Sequence, residues 1–381
     1  MIKILYIYGN LPAYREDFFT HLSSRLTEVG IDIKVMYGYI ANKATLQAES
    51  KSFKSQKFET KLNNFGLFRL SRLRGLMKAV KDERPDGVIF QFNQTNLTEW
   101  QILHWCRKNH IPYGIWGCNY TRADLKGFLV RIRNVIYNYI YRHCSICIPY
   151  GSVYHDFLVK AGVPEECVII AQNTIDVQSI ADREKTFLPK TFDHSSTHLL
   201  YVGALAPQKR IESSIEAVSQ LIKEGADLEY DIVGGGSQLD VLKRQYESLP
   251  DEVKPFIHLH GAKYGDELLP FFRRADVFLM PGTGGLGVNE AMAYGLPIIS
   301  TIGDETIVDL LDGNGFLLEH MGNIEEQKEA ILRFMRMTEV EKQKMSQKSI
   351  ELVLSRAPLS NMVEKHVLAC NKMISLWQAD R

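Results

Sequence analysis

From residue 2 to residue 319, apolar runs of strand length alternate with segments of helical period, and this alternation limits the fold more than any other feature. Parallel strands need a crossover of a dozen residues or more between them, usually a helix, so repeated strand–helix alternation predicts doubly wound α/β domains. In the first half the predicted strands are "IKILYIYG" (2–9), "IDIKVMYGY" (31–39), 86–92, 112–116, 145–150 and 167–173. Predicted helices fall at 14–29, 67–83, 96–109, 124–142 and 152–162, with a polar basic stretch before the second of them. Residues 176–196 lose the periodicity and read as a linker. The alternation then restarts, with strands at 198–205, 228–236, 257–261, 276–282, 296–301 and 315–319, separated by helices at 210–225, 238–248, 265–274, 286–294 and 304–311. A chain of 381 residues suits two domains of roughly 150–200 residues better than one core. The expected organisation is an N-terminal Rossmann-like domain over 1–175, a linker over 176–197, a second Rossmann-like domain over 198–355, and a C-terminal helix over 356–381 that packs back toward the first. The two sheets are expected to face across a cleft, with ligands beyond the C-terminal ends of their strands.

Within the second half, "PGTGGLGVNEAMAYGLPII" (281–299) places five glycines and two prolines around one carboxylate, Glu290. It follows a strand and opens a helix. The first amides of a helix have no partner inside it and, with the helix dipole, favour an anion. Missing side chains at Gly284, Gly285 and Gly287 would let a phosphate approach the backbone. Glu290, about a turn further on, would meet the next polar part of a nucleotide, for which a ribose diol is the natural partner. The alternative is a glycine-rich turn followed by an exposed helical glutamate.

Composition removes several classes of function. Lys+Arg and Asp+Glu are equal at 45 each, so no overall charge draws the chain to nucleic acid. No apolar stretch approaches the roughly 18 residues of a membrane helix, and "MIKILYIYGNLP" reads as a first strand, not a signal peptide, so a cytoplasmic location is expected. Cys144 and Cys147 form a C-x-x-C inside a strand pattern, without the second pair a zinc site needs. His258 and His260 share a strand face but lack an evident third ligand, so no metal site is expected. "VGGGSQL" (233–239) imitates a dinucleotide fingerprint, yet Leu239 stands at its third glycine. Residues 49–84 carry ten Lys/Arg against four Asp/Glu, and "RADLKGFLVRIRNVIYNYIYR" (122–142) is basic with an apolar, aromatic face. Both suit peripheral contact with an anionic membrane, against the plainer reading of a core helix with a solvated charged side.

The segment 277–300 resembles the donor site of family 4 retaining glycosyltransferases (glycosyl transferases group 1), which have the GT-B fold. "LLYVGALAPQKRIESSIEAV" (199–218), "YDIVGGGSQLDVLK" (230–243), "TIVDLLDGNGFLLE" (306–319) and "GNLPAYREDFFTHLSSRL" (9–26) are similar to other segments of that family, so the resemblance covers nearly the whole chain. It implies transfer of a sugar from a nucleotide diphosphate donor to a saccharide acceptor, lipid-linked in one version. The transfer would retain anomeric configuration, use no metal or other cofactor, and serve cell-surface polysaccharide or glycoconjugate synthesis. By the same resemblance, Glu290 accepts hydrogen bonds from the donor ribose and Lys209 neutralises the departing diphosphate, these two being the catalytic candidates. Gly203, Arg210, Gly284, Gly285 and the backbone amides of Leu286, Gly287 and Val288 complete the donor set. Asn10, Arg15, Cys118, Asn119 and Arg122 are the acceptor or cleft candidates. Asp304 and Glu305 follow the strand "PIIST" and could contact the donor, although a helix start also favours acids there. Three positions depart from the family pattern: Gly282 stands for an acid, Ala204 for an arginine and Cys118 for a histidine. These departures motivate the alternative of a catalytically silent, nucleotide-binding partner subunit.

Overall fold

The computed structural model describes residues 1–40, 52–65, 68–117, 128–184, 190–192, 196–303 and 306–379. The chain divides into two compact units, Met1–Gln172 with Ser360–Arg381, and Asn173–Leu359.

In the first unit the strands are β1 (Ile2–Tyr8), β2 (Ile31–Tyr39), β3 (Ser55–Phe65), β4 (Phe68–Leu73), β5 (Gly87–Phe90), β6 (Tyr113–Trp116) and β7 (Ile146–Ile148). They form one sheet in the order β4-β3-β2-β1-β5-β6-β7, parallel except for the β3–β4 hairpin. The helices are α1 (Glu16–Glu28), α2 (Leu76–Glu83), α3 (Leu97–Lys108), α4 (Phe128–Arg142) and α5 (Ser152–Lys160). Central strands such as β5 and β6 are buried along their whole length, which is why they read as unbroken apolar runs.

Two expectations fail in this unit. The hairpin β3–β4 occupies the basic stretch and the first part of the helix expected at 67–83. Leu67, Leu70, Leu73 and Leu76 recur every three residues and imitate a helical stripe. Gly75 breaks it at φ 82, so that only α2 is helical, while "FRLSRL" pairs with β3 from Thr60↔Leu73 to Phe65↔Phe68. Residues 167–173 form no strand beyond a single bridge between Val168 and Cys147.

The second unit begins with α6 (Val177–Glu184), a helix where the aperiodic linker was expected. Its strands are β8 (Thr197–Val202), β9 (Leu228–Val233), β10 (Ile257–Gly261), β11 (Val277–Met280), β12 (Ile298–Thr301) and β13 (Gly315–Leu318), all parallel, in the order β10-β9-β8-β11-β12-β13. Around them lie α7 (Ile211–Lys223), α8 (Leu239–Glu247), α9 (Leu269–Arg274), α10 (Gly287–Ala293), α11 (Thr306–Leu310), α12 (Ile324–Met335) and α13 (Glu339–Arg356). Lys190, a described residue of the expected linker, is also tied into this unit. Lys190 donates from its ammonium to the carbonyls of Phe272 and Arg273 at 2.8 and 2.7 Å, closing the C-terminus of α9. The last helix, α14 (Leu359–Ala379), belongs to the first unit, where Cys370 and His366 contact Tyr6 of β1.

Candidate functional site

In each sheet the strand order reverses at one place, and the loops that leave the strand ends there open a crevice suited to a ligand. In the second unit the reversal lies between β8 and β11. The loop after β8 carries Gly203 to Arg210, and the loop after β11 carries Pro281 to Leu286. Lys209 and the glycine turn thus leave adjacent strands, although more than 70 residues separate them in sequence.

Backbone contact locks the two loops together. Pro207–Lys209 form a 3-10 turn, and Arg210 at φ 55 redirects the chain into α7. The Thr283 amide donates to the Gln208 carbonyl at 2.9 Å, and the Lys209 ammonium donates to the Thr283 carbonyl at 2.7 Å and to that of Gly284. A Cβ at Gly282 would stand 2.3 Å from the Gln208 oxygen and 2.6 Å from the Lys209 oxygen. The Lys209 loop thus packs directly on Gly282, the position where the family pattern has an acid. Gly234 and Gly236 serve the neighbouring loop likewise, since Cβ atoms there would stand 1.9 Å from the Gly203 oxygen and 2.3 Å from that of Leu205. Ala204 contributes its carbonyl, which accepts from the Tyr201 hydroxyl at 2.9 Å. Arg210 is half-exposed and lies 3.7 Å from Glu212.

The glycines of the turn have different surroundings. A Cβ at Gly287 would meet the Val202 carbonyl at 2.6 Å, so this glycine lets α10 pack against the end of β8. At Gly285 a Cβ would meet only the Lys209 ammonium, at 3.2 Å. The amides also differ: Val288 already donates to the Gly285 carbonyl at 3.1 Å, which leaves Leu286 and Gly287 as the better-suited amides. Glu290 lies in the first turn of α10 and is partly exposed. The neighbouring Asn289 is buried and donates to the Asn173 carbonyl at 3.3 Å and the Thr174 hydroxyl at 3.4 Å, while α6 packs on α10. The segment read as a linker therefore braces the helix that carries Glu290.

In the first unit the reversal lies between β1 and β5. Beside it is a cavity of about 620 Å³, lined among others by Asn10, Gln91, Asn93, Asn96, Trp116 and Tyr150. Asn10 is therefore where a ligand could reach it. Arg15 is not: it is 1% exposed, with its guanidinium 4.9 Å from the Trp116 ring centre and 5.1 Å from that of Tyr14. Its long stem and flat charged head fill an aromatic cage instead of facing ligand. Cys118, Asn119 and Arg122, like Asp304 and Glu305, lie outside the described residues.

Sequence reasoning missed Glu99. It is fully buried on α3, where one carboxyl oxygen accepts from the Asn93 amide at 2.6 Å and the other from the Asn96 side-chain amide at 2.7 Å. Asn96 in turn caps α3 through Thr98. Burial pushes the Glu99 carboxyl up to about 8, opposed by these two donors. The signal present in the sequence was the Asn96–Glu99 spacing of a capping motif. His258 and His260 face β9, pairing with Glu229 at 3.4 Å and Asp231 at 2.7 Å. Among the described residues no group of three or more His, Cys, Asp or Glu is arranged to hold a metal ion. Cys144 and Cys147 are buried free thiols with their sulfurs 3.2 Å apart.

The chain is similar to several known glycosyltransferases. Residues 182–351 match the family described as Glycosyl transferases group 1. The chain is 26% identical over 178 residues to the putative colanic acid biosynthesis glycosyltransferase WcaL of Escherichia coli, covering 44% of this chain and 41% of that protein. It is 28% identical over 182 residues to the poly(glycerol-phosphate) alpha-glucosyltransferase of Bacillus subtilis, covering 46% and 26% respectively. The matches thus span well under half the length of these curated relatives. Among solved structures, Anabaena Alr3699/HepE in complex with UDP and glucose is similar at a TM-score of 0.69 and 13% identity, covering 97% of this chain and 100% of that one. Sucrose-phosphate synthase from Thermosynechococcus elongatus reaches a TM-score of 0.71 at 13% identity, covering 98% and 100%. The fold they share with this chain is GT-B, with two parallel-sheet α/β domains.

Proposed function

Residues 182–351 belong to the glycosyl transferases group 1 family, and from that premise we propose that the chain transfers a sugar from a nucleotide diphosphate donor to a saccharide acceptor in polysaccharide or glycoconjugate synthesis. The observation that carries this reading is the meeting of Lys209 with the glycine turn at the β8/β11 reversal. A diphosphate placed against Gly285 would lie beside the Lys209 ammonium and the Leu286 and Gly287 amides, with its ribose toward Glu290. As the glycosidic bond breaks, negative charge grows on the leaving diphosphate. A fixed ammonium and fixed amides stabilise that charge more in the transition state than in the bound donor. The assignment to polysaccharide synthesis is supported by the relative named for colanic acid biosynthesis.

The proposed transfer proceeds with retention and without a divalent metal. The sequence contains no D-x-D pair, and Lys209 stands where diphosphate charge must be met. Turnover of a nucleotide sugar is expected to persist in excess chelator and to give a product of the donor's anomeric configuration by NMR. A strict metal requirement, or inversion, would overturn this mechanism. A silent partner subunit is disfavoured because Lys209, Glu290 and the glycine turn are all retained, with the Lys209 ammonium held against that turn.

The acceptor is proposed to be presented at an anionic lipid surface. No helix among the described residues is long and apolar enough to cross a membrane. α4 nevertheless buries Tyr137, Ile140 and Tyr141 while exposing Ile132, Val135, Ile136 and Tyr139 beside Arg131 and Arg142. An apolar stripe bordered by cations suits a bilayer with acidic headgroups. Sedimentation with vesicles containing phosphatidylglycerol, lost on Val135→Asp, is the expected result. Equal sedimentation of that variant would remove α4 from the proposal.

A further inference from the structure

We infer that the β3–β4 hairpin carries a binding site for a multiply charged phosphate group, a diphosphate or a phosphate monoester, on its face opposite the crevice cavity. Where the hairpin meets α2 and α3 there is a second cavity, of about 470 Å³. Among its described lining residues Lys61, Arg72 and Arg74 are cations, and none is acidic. All three are exposed, so a ligand in solution can reach them. Their side chains make no ion pair and no hydrogen bond among the described residues. Other cations of this unit are paired: Lys3 and Lys34 share Glu83, and Lys54 meets Asp32. The register sharpens the contrast, because Lys61 stands directly opposite Arg72 in the antiparallel ladder. Like charges so placed destabilise a strand pair, and an anion between them removes the repulsion.

The hairpin itself keeps the two cavities apart. Side chains alternate across a strand, so Thr60 and Leu62 face one way while Lys61 and Asn63 face the other. Thr60, Leu62 and Ser71 line the cavity beside the β1/β5 reversal, whereas Lys61, Asn63 and Arg72 line this one. Its frame is held by backbone contacts. The Thr98 hydroxyl of α3 accepts from the Leu73 amide at 3.0 Å, and the Arg74 amide donates to the Glu59 carbonyl at 2.9 Å. Glu59 shares a strand face with Lys61, yet it does not line the cavity. Two guanidinium forks match phosphate oxygens in pairs, and the ammonium adds a third positive charge. A carboxylate offers one negative charge to these three cations, whereas a phosphate monoester carries close to two near neutral pH. The volume lies within the usual range for small-ligand sites, which leaves space for the molecule that bears the phosphate. Leu73 and Met77 provide apolar wall for that part, and the Asn63 and Gln101 amides provide hydrogen bonds.

The test uses the full chain and inorganic pyrophosphate, titrated by calorimetry at low ionic strength into the parent, Lys61→Gln, Arg72→Gln and Gly285→Val. The parent is expected to show a pyrophosphate site that weakens about tenfold or more in each hairpin variant and is untouched in Gly285→Val. A second site, weakened in Gly285→Val alone, belongs to the donor reading; if it is missing while the hairpin site is present, that reading fails and this inference stands. Melting temperatures control for folding. Without pyrophosphate each hairpin variant should melt no lower than the parent, because a like-charge pair has been removed, and with pyrophosphate it should gain less than the parent gains. Sedimentation with vesicles containing phosphatidic acid separates the sources of the phosphate. A fall in Arg72→Gln marks a lipid headgroup as its bearer, and equal sedimentation of parent and variant marks a soluble phosphate compound. Absence of pyrophosphate binding to the parent would overturn the inference. So would binding unchanged in both hairpin variants, or melting well below the parent in both, which would make the cations structural.

Discussion

The two strand-order reversals occupy equivalent places in similar sheets, yet they are finished in opposite ways. At β8/β11 the loops touch backbone to backbone, because Gly282 leaves no side chain between them. The result is a surface of peptide groups with one ammonium, Lys209, set among carbonyls. At β1/β5 the loops stand apart around a cavity walled by amides, hydroxyls and aromatic rings. Close backbone packing suits an anion, which needs amides and a cation at short range, whereas a side-chain wall offers both donors and acceptors at its amides and hydroxyls. The topology sets where each crevice opens, and the residue types in the loops set its chemistry.

The largest effect that would break this contrast is expected at Lys209. Lys209→Ala should lower kcat for transfer, or for slow donor hydrolysis, by roughly 100–1,000-fold, as for loss of other groups that stabilise developing charge. Donor affinity should fall less, so steady-state kinetics would separate the two parameters. A loss confined to donor KM would show that Lys209 only binds, and the two reversals would then differ in affinity alone. Glu290→Ala comes next. Removing charge-assisted hydrogen bonds to ribose should cost roughly 1.5–3 kcal/mol, or about 10–100-fold in affinity for nucleoside diphosphate by calorimetry.

The smallest expected effect sharpens the other side of the comparison. Glu99→Gln replaces one of two accepting oxygens by an amide that faces a donor, which should destabilise the first unit by roughly 1–3 kcal/mol near neutral pH. The pH dependence has a definite sign. Folded Glu99 titrates near 8 against an ordinary value of 4.5, so between these values the folded state holds more protons than the unfolded one. Its contribution to stability is therefore greatest at acid pH and is lost as pH rises from about 4.5 to about 8. Urea midpoints across that range should show the loss in the parent chain and a flatter profile in Glu99→Gln. Parallel profiles would show that this carboxyl does not titrate in the window.

Much of the fold was legible because burial leaves a direct mark on composition. β2 falls at 31–39 and β10 at 257–261, where the sequence pattern places them. The hairpin β3–β4 was not legible, because leucines at intervals of three satisfy a helical stripe until the positive φ of Gly75 is known. The site divides along the same line. Lys209, Gly285 and Glu290 were named from local pattern and resemblance, and the structure sets Lys209 against the glycine turn that opens the helix of Glu290. Nothing local distinguishes the role of Gly282 or Gly287, since the Gln208 and Val202 carbonyls that exclude their side chains arrive from another strand. Arg15 was misplaced for a similar reason. An arginine at the start of a predicted helix reads as exposed until the rings of Tyr14, Phe18 and Trp116 are seen around it.

The account depends most on the second reversal being an anion site, and Gly285 offers the cleanest test. A side chain there meets only the movable end of Lys209, and the backbone of Gly285 requires no positive φ, so Gly285→Val should fold with an unchanged melting temperature. The measurement is calorimetric titration of uridine and guanosine diphosphates into the parent chain and into Gly285→Val, both in excess chelator. One of the two nucleotides should bind the parent, and the variant should bind it about tenfold or more weakly. Equal affinity in a variant with unchanged melting, or failure of both nucleotides to bind the parent, would contradict the assignment of this turn to the donor diphosphate.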